Sequence, residues 1–125
     1  MGKVKVLVLV ADRNQLGADA LVAAFVEVTA VDSRTATTLG EALVTAQATR
    51  PDLVLVDAWI APSSVEDIVR QLKEVSPQSS VYVVASQIDA AFERRVKSAG
   101  GNGSCIKESV PDAARMMLAG LGACR

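Results

Sequence analysis

Three charged residues in this 125-residue chain come directly after apolar or mostly apolar segments. Asp12 and Asp57 each follow a run of four or more apolar residues, and Lys107 follows the short segment Ser104–Ile106. Two carboxylates held close together repel each other, and an oxygen-liganded cation such as Mg²⁺ relieves that repulsion while leaving positions for a phosphoryl group. A carboxylate can also be the nucleophile toward phosphorus, with a lysine neutralising charge on the transferred oxygens. These residue types therefore indicate phosphoryl chemistry if the fold brings the three together.

The elements that would position these residues alternate between strands and helices. Short β-branched or apolar runs predict five strands, and apolar residues spaced three and four apart predict five helices. The predicted strands are Lys3–Val10, Thr29–Ala36, Leu53–Val56, Val81–Ala85 and Ser104–Ile106. The predicted helices run from Leu16 to Val28, from Thr38 to about Ala48, from Ser64 to Val75, from Asp89 to before Gly100, and from Ser109 through Leu121. Thr38, Ser64 and Asp89 have the residue types of N-caps.

This alternation predicts an α/β fold, a flavodoxin-like doubly wound five-stranded parallel sheet with five helices. Short loops and right-handed crossovers favour the strand order 2-1-3-4-5. In such a sheet we expect the first, third and fifth strands to be neighbours at the centre, and ligands bind at the carboxyl ends of the central strands. We therefore predict that Asp12, Asp57 and Lys107 converge in one crevice.

Composition excludes several classes of function. The chain has 13 Lys plus Arg against 14 Asp plus Glu, a formal net charge of −1, and no His. Without imidazole, His metal sites and Ser-His-Asp or Cys-His nucleophiles are excluded. The near-neutral charge gives no case for nucleic-acid or membrane binding by this domain. We find no signal peptide or transmembrane segment, and expect a cytoplasmic protein in which Cys105, a core residue, and Cys124 are reduced thiols.

Three segments resemble the receiver (CheY-like) domain of two-component response regulators. Val8–Asp12 is similar to the first strand of that family with its acidic pair, and Arg50–Asp57 to the strand that carries the phosphoacceptor. Ala99–Lys107 is similar to the approach to the family's lysine. The resemblance covers essentially the whole chain, and its middle segment is the most specific.

The resemblance implies a role for each residue. Asp57 would accept the phosphoryl group, and Asp12, Asp57 and the backbone carbonyl of Trp59 would bind Mg²⁺. Lys107 would contact the phosphoryl oxygens. The phosphoryl group would come from a histidine kinase, a phosphotransfer protein or a small phosphodonor. The domain would then switch a partner or an output domain.

The chain also departs from the family pattern. Ala11 replaces the first acid of the acidic pair, Ala85 replaces the hydroxyl residue at the end of the fourth strand, and Ser104 replaces the aromatic switch residue. Pro62 lies one residue beyond its usual place, and Glu108 replaces a proline. Loss of the acid weakens the expected Mg²⁺ affinity. Loss of the hydroxyl and the aromatic residue alters or removes the usual route by which phosphorylation is transmitted.

We expect residues 1–125 to form a single atypical receiver-like domain, either complete or the N-terminal part of a longer regulator, and not an enzyme acting on a metabolite. The alternative is a phosphorylation-independent module that binds a partner, or a second copy of itself as a homodimer. It would use the fourth helix, the fifth strand and the fifth helix. Flavin, cobalamin and dinucleotide sites are disfavoured, because the loop after Val10 lacks a phosphate cradle, His is absent, and Gly100–Gly103 follows a helix.

Overall fold

The computed structural model describes residues 5–123, in which five strands and five α-helices alternate. The strands are β1 (Val6–Ala11), β2 (Val31–Ala36), β3 (Leu53–Asp57), β4 (Ser80–Ala85) and β5 (Gly103–Ile106). The helices are α1 (Gln15–Val26), α2 (Leu39–Thr49), α3 (Val65–Val75), α4 (Ala90–Ser98) and α5 (Val110–Ala123). A 3₁₀ turn, Lys107–Ser109, joins β5 to α5.

The strands form one parallel sheet in the order β2-β1-β3-β4-β5, which confirms the predicted fold class and strand order. The expectation that the first, third and fifth strands are neighbours at the centre was wrong for β5, which lies at the edge of the sheet beside β4. Ala11 at the end of β1 pairs with Val56 in β3. The residues that follow these two, Asp12 and Asp57, therefore lie side by side at the carboxyl edge of the sheet. The register alone explains why two acids distant in sequence become neighbours.

Both faces of the central strands are buried, because each face packs against helices. Leu9 and Val54 belong to the core beneath α2, α3 and α4, whereas Val8 and Leu53 belong to the core beneath α1 and α5. This explains why β1 and β3 read as continuous apolar runs rather than as alternating ones. Because the apolar residues of the central strands fill the two cores, the charged residues Asp12 and Asp57 lie at the strand ends.

The helices begin at side-chain caps. Thr38, Ser64 and Asp89 accept backbone N–H groups from the first turns of α2, α3 and α4, as predicted, and Asn14 does the same for α1. Arg50, the C-cap residue directly after α2, has a left-handed backbone with φ of 49°. Pro51 follows it and prevents the helix from continuing.

Several predicted boundaries were wrong by a few residues. β1 continues to Ala11, and β2 begins at Val31 because Val28 and Thr29 bond back to the end of α1. Lys107 opens the 3₁₀ turn instead of simply ending the fifth strand, and α5 starts at Val110. Predictions that concerned Lys3, Val4 and Cys124 lie outside the described residues. None of the helices within residues 5–123 is both long enough and apolar enough to cross a membrane.

Candidate functional site

Asp12, Asp57 and Lys107 meet at the carboxyl edge of the sheet, as the sequence predicted. Lys107 Nζ donates a hydrogen bond to Asp12 Oδ2 at 2.9 Å and lies 4.0 Å from Asp57 Oδ2. Asp12 is only 2% exposed and Asp57 only 8%. Two nearly buried carboxylates are thus balanced by one lysine that remains partly open to solvent.

Asp12 is held by hydrogen bonds to backbone groups of β2 and of the β1–α1 loop. Its N–H donates to the Ala36 carbonyl, which extends the pairing of β1 with β2. Its Oδ1 accepts the N–H of Asn14 at 2.9 Å. Gly17 packs so closely that a Cβ there would lie 3.0 Å from Asp12 Oδ2. The remaining oxygen, Oδ2, is the one that contacts Lys107.

Asp57 is the last residue of β3, and the turn after it fixes its carboxylate in a similar way. Oδ1 accepts the N–H of Trp59 at 3.1 Å, and the backbone carbonyl accepts the N–H of Ile60 at 3.0 Å. The N–H of Ala58 donates to the Val84 carbonyl, which anchors the turn to β4. In both acids Oδ1 is therefore occupied by the backbone, and Oδ2 is the oxygen nearer the lysine.

Electrostatics keep Lys107 protonated. Burial alone disfavours its ammonium form, but the hydrogen bond to Asp12 and the charges of Asp12, Asp57 and Glu108 together outweigh burial and raise the pKa of Lys107 above its ordinary value. The stabilising contribution of the lysine is therefore fully present below its ordinary pKa. That contribution is lost only as pH rises through the raised value.

The oxygen donors fit Mg²⁺. Two buried carboxylates are hard ligands, and Mg²⁺ commonly takes only one or two carboxylates from a protein and completes its shell with water and phosphate oxygens. Ala11, 1% exposed, supplies only a methyl group next to Asp12. Within residues 5–123 no group of three or more Cys, Asp or Glu side chains is placed to hold a metal. The binding expected of this site is thus that of a two-carboxylate site, and the Trp59 carbonyl stays a predicted ligand.

The other two departures lie close to the site. Ala85 is buried at the end of β4, and Ser86, one residue beyond the strand, is exposed in the β4–α4 loop. Ser104, half-buried on β5, donates its hydroxyl hydrogen bond to Glu93 of α4. The position that carries an aromatic residue in the resembled family therefore makes a polar link between β5 and α4 in this chain.

An open cleft of about 560 Å³ lies beside Asp57, between the β3–α3 loop, the β4–α4 loop and α4. Trp59, 67% exposed, lines this cleft. Arg95 lines the cleft from α4 and makes two hydrogen bonds, of 2.9 and 2.8 Å, to the carboxylate of Glu66 on α3. Hydrogen bonding to Arg95 lowers the pKa of Glu66 to about 2.

The sequence alone does not predict the contacts of α4. Neither the pairing of Arg95 with Glu66 nor the hydrogen bond from Ser104 to Glu93 follows from residue types or spacing. Gly17 carried no signal, because only the folded structure shows how closely it approaches Asp12. Cys105 is buried as expected, and burial raises the pKa of its thiol, which favours the unreactive protonated form.

Comparison with known proteins gives the class of fold. No protein-family model matches the chain. No curated protein sequence matches it either. Solved structures do: a response regulator receiver domain protein (CheY-like) from Methanospirillum hungatei JF-1 has a TM-score of 0.83 at 16% identity, covering 96% of both chains. Chemotaxis response regulator CheY4 of Vibrio cholerae has a TM-score of 0.78 at 18% identity, covering 94% of this chain and 99% of its own.

A third similar structure is a response regulator protein from Burkholderia pseudomallei with a phosphorylated aspartic acid, calcium ion and citrate. Its TM-score is 0.73 at 21% identity, covering 92% of this chain and 72% of its own. These likenesses establish that the chain has the fold of response regulator receiver domains, as its sequence had indicated.

Removing the lysine should expose its role in the charge balance. We expect Lys107→Ala to lower the free energy of unfolding at pH 7 by about 1–3 kcal/mol, because buried Asp12 loses its hydrogen-bond donor. The loss should shrink in acid, where protonation of the carboxylates removes the charge that the lysine balances. Urea unfolding measures this. Lys97→Ala, which removes an exposed ion pair with Glu93, is the control and should change stability by no more than about 0.5 kcal/mol. An equal loss of unfolding free energy in Lys107→Ala and Lys97→Ala would contradict the role of Lys107 in balancing the buried carboxylates.

The Glu66–Arg95 pair predicts a pH dependence of stability. Because the pKa of Glu66 is lowered from 4.5 to about 2, its contribution is present above pH 4.5 and is lost as pH falls through about 2. Glu66→Gln should therefore lower the melting temperature at pH 7, and the difference from the unmodified protein should disappear near pH 2. Glu74→Gln, at an exposed position of α3, should show no such trend. A pH-independent difference would show that the ion pair is not its cause.

Proposed function

We propose that this chain is a phosphorylatable receiver domain in which Asp57 accepts a phosphoryl group with the help of Mg²⁺ and Lys107. The observation that carries the proposal is the arrangement of the three residues. The Asp57 carboxylate has one oxygen held by the backbone, and its second oxygen lies 4.0 Å from a lysine ammonium. The similar structure from Burkholderia pseudomallei, which contains a phosphorylated aspartic acid, supports the same chemistry.

Asp57 Oδ2 is suited to act as the nucleophile. The backbone bond from Trp59 to Oδ1 orients the carboxylate, so the oxygen that attacks phosphorus is positioned before the donor arrives. As the new O–P bond forms, the bond from phosphorus to the donor's nitrogen or oxygen breaks, and its electron pair leaves with the donor. A histidine kinase, a phosphotransfer protein or a small phosphodonor supplies the phosphoryl group.

Lys107 is suited to neutralise the transferred charge. Its ammonium donates to Asp12 Oδ2 at 2.9 Å and is partly exposed, so it can turn from that carboxylate to the phosphoryl oxygens. Mg²⁺ bound by Asp12 and Asp57 supplies charge neutralisation on the phosphoryl oxygens. Because one carboxylate of the resembled pattern is replaced by Ala11, we expect phosphorylation to require higher Mg²⁺ concentrations than in receiver domains that have both acids.

The phosphorylated domain then switches a partner or an output domain, and we place that output on α4, β5 and α5. Glu93 connects β5 to α4 through its hydrogen bond from Ser104, and it also lies 3.7 Å from Lys97. A change at the strand ends can therefore reach the exposed face of α4 through polar contacts. This set of polar contacts would take the place of the hydroxyl residue and the aromatic residue of the resembled pattern, which are Ala85 and Ser104 in this chain.

The phosphoacceptor is tested by phosphate incorporation. Incubation with acetyl phosphate and Mg²⁺ should add one acid-labile phosphoryl group per chain, detected by intact-protein mass spectrometry. Asp57→Asn should abolish the incorporation, because an amide is not a nucleophile toward phosphorus. Asp112→Asn, at an exposed aspartate in α5, should leave it unchanged. Incorporation that persists in Asp57→Asn would remove Asp57 from this role.

A second candidate function is a phosphorylation-independent interaction module. It is favoured because Ala11 and Ala85 replace an acid and a hydroxyl residue of the resembled pattern. It would bind a partner or a second copy of the chain through α4, β5 and α5. Under this function, sedimentation of the unmodified protein should show self-association at micromolar concentrations, and Asp57→Asn should leave it unchanged. Arg94→Glu, a charge reversal on exposed α4, should weaken it. Loss of self-association in Asp57→Asn would contradict this second candidate.

A further inference from the structure

The open cleft beside the acidic residues shares the turn of Trp59 with them, but Asp12, Asp57 and Lys107 do not line it. Its volume of about 560 Å³ is within the range of small-molecule sites, which is roughly 300–1,000 Å³. It continues past Phe92 and Arg95 into a second hollow of about 420 Å³. Both hollows are lined by residues of the same α4 face and share Gln87 of the β4–α4 loop.

Two aromatic side chains line the cleft. Trp59 is 67% exposed although it is the largest apolar side chain in the described part of the chain, and Phe92 is half-buried on α4. Ala58, Ala61 and Ala85 also line the cleft and leave room because they are small. The exposed indole beside this apolar lining offers a flat face on which another aromatic group can stack.

The charges around the cleft disfavour an anionic ligand. Arg95 is the one charged side chain that lines the first hollow, and its guanidinium is already paired with Glu66 through two hydrogen bonds. Asp89 lines the second hollow, and Asp57 lies in the turn beside the first. An anion would have to compete with Glu66 for Arg95, and that exchange would break the existing bidentate pair. An uncharged ligand requires no such exchange.

Neutral hydrogen-bonding groups also line the cleft. Ser86 and Gln87 are exposed in the β4–α4 loop and line the cleft, and Ser63 lines it from the β3–α3 loop. Hydroxyl and amide groups can donate to a carbonyl or hydroxyl oxygen of a bound molecule and fix its orientation. The cleft thus combines a stacking surface with a few uncharged polar groups.

We propose that this cleft binds an uncharged, planar aromatic molecule that carries a hydrogen-bond acceptor, stacked on Trp59 and contacting Ser86 and Gln87. The inference goes beyond the proposed function and does not depend on phosphorylation. It has one structural link to it: the backbone N–H of Trp59 donates to Asp57 Oδ1, so the stacking residue and the acidic site share a turn.

The probe for the test is naphthalene-2-carboxamide, which has a planar aromatic ring system, no charge and a carbonyl oxygen that accepts hydrogen bonds. Titration into ¹⁵N-labelled protein without Mg²⁺ should shift the amide signals of Ala58, Trp59, Ser86, Gln87 and Phe92 saturably. Naphthalene-2-carboxylate should bind more weakly because of its charge. Decahydronaphthalene-2-carboxamide should also bind more weakly, because it has the same polar group without an aromatic face.

Variants separate stacking from simple burial. Trp59→Ala should weaken binding of the carboxamide by about five- to tenfold, and Trp59→Phe should restore most of it. Because Trp59 is 67% exposed, its removal should not unfold the protein. Val44→Ala, at a position 69% exposed on α2, is the matched control and should leave the affinity unchanged. Asp57→Asn should also retain binding, which distinguishes failure of this inference from failure of the proposed function.

Several results would overturn the inference. They are the absence of saturable shifts up to the solubility limit of the probe, shifts spread over α2 and α5 as well as the cleft, equal affinity in Trp59→Ala and Val44→Ala, or equal binding of the saturated analogue. The first would show that the cleft binds no such molecule. The others would show that the probe adheres to apolar surface without stacking on Trp59.

Discussion

The charge balance between two nearly buried carboxylates and one lysine is the interaction on which this structure's site depends. The sheet register places Asp12 beside Asp57, and the chain must bring Lys107, 95 residues after Asp12, to the same edge to offset their repulsion. Lys107 is partly exposed and donates to Asp12 in the folded protein. Under the proposed function, an incoming phosphoryl group would compete with Asp12 for the same ammonium. Stability and the proposed chemistry therefore use one contact.

Polar contacts connect α4 to the elements on both of its sides. Ser104 on β5 contacts Glu93, and Glu66 on α3 holds Arg95. These bonds tie α4 to its two neighbouring elements without the aromatic residue that usually lies on β5. Under the proposed function, a new charge at Asp57 would alter α4 through these hydrogen bonds and ion pairs. The cleft beside Trp59 lies between the same elements, so its occupancy would affect the same helix.

The sequence was sufficient to predict the strand order and the convergence of Asp12, Asp57 and Lys107, because apolar runs and caps are local signals and a parallel sheet aligns strand ends. It did not predict the Glu66–Arg95 and Ser104–Glu93 contacts, since these depend on the angle at which α4 packs. The cleft was missed for a related reason: it lies between small residues of the β3–α3 loop and the end of β4, which are distant in the sequence. Lys107 was placed correctly in space although its 3₁₀ turn was not foreseen.

The most direct test of the account uses the single tryptophan as a probe, because the backbone N–H of Trp59 donates a hydrogen bond to Asp57 Oδ1. Its fluorescence would be followed while Mg²⁺ is added alone and then with beryllofluoride, which mimics an acyl phosphate. The account predicts a saturable Mg²⁺ response that beryllofluoride tightens and that both Asp12→Ala and Asp57→Asn eliminate. No response to either ligand, with calorimetry also showing no heat of binding, would contradict the claim that these three residues form a phosphoryl-accepting site.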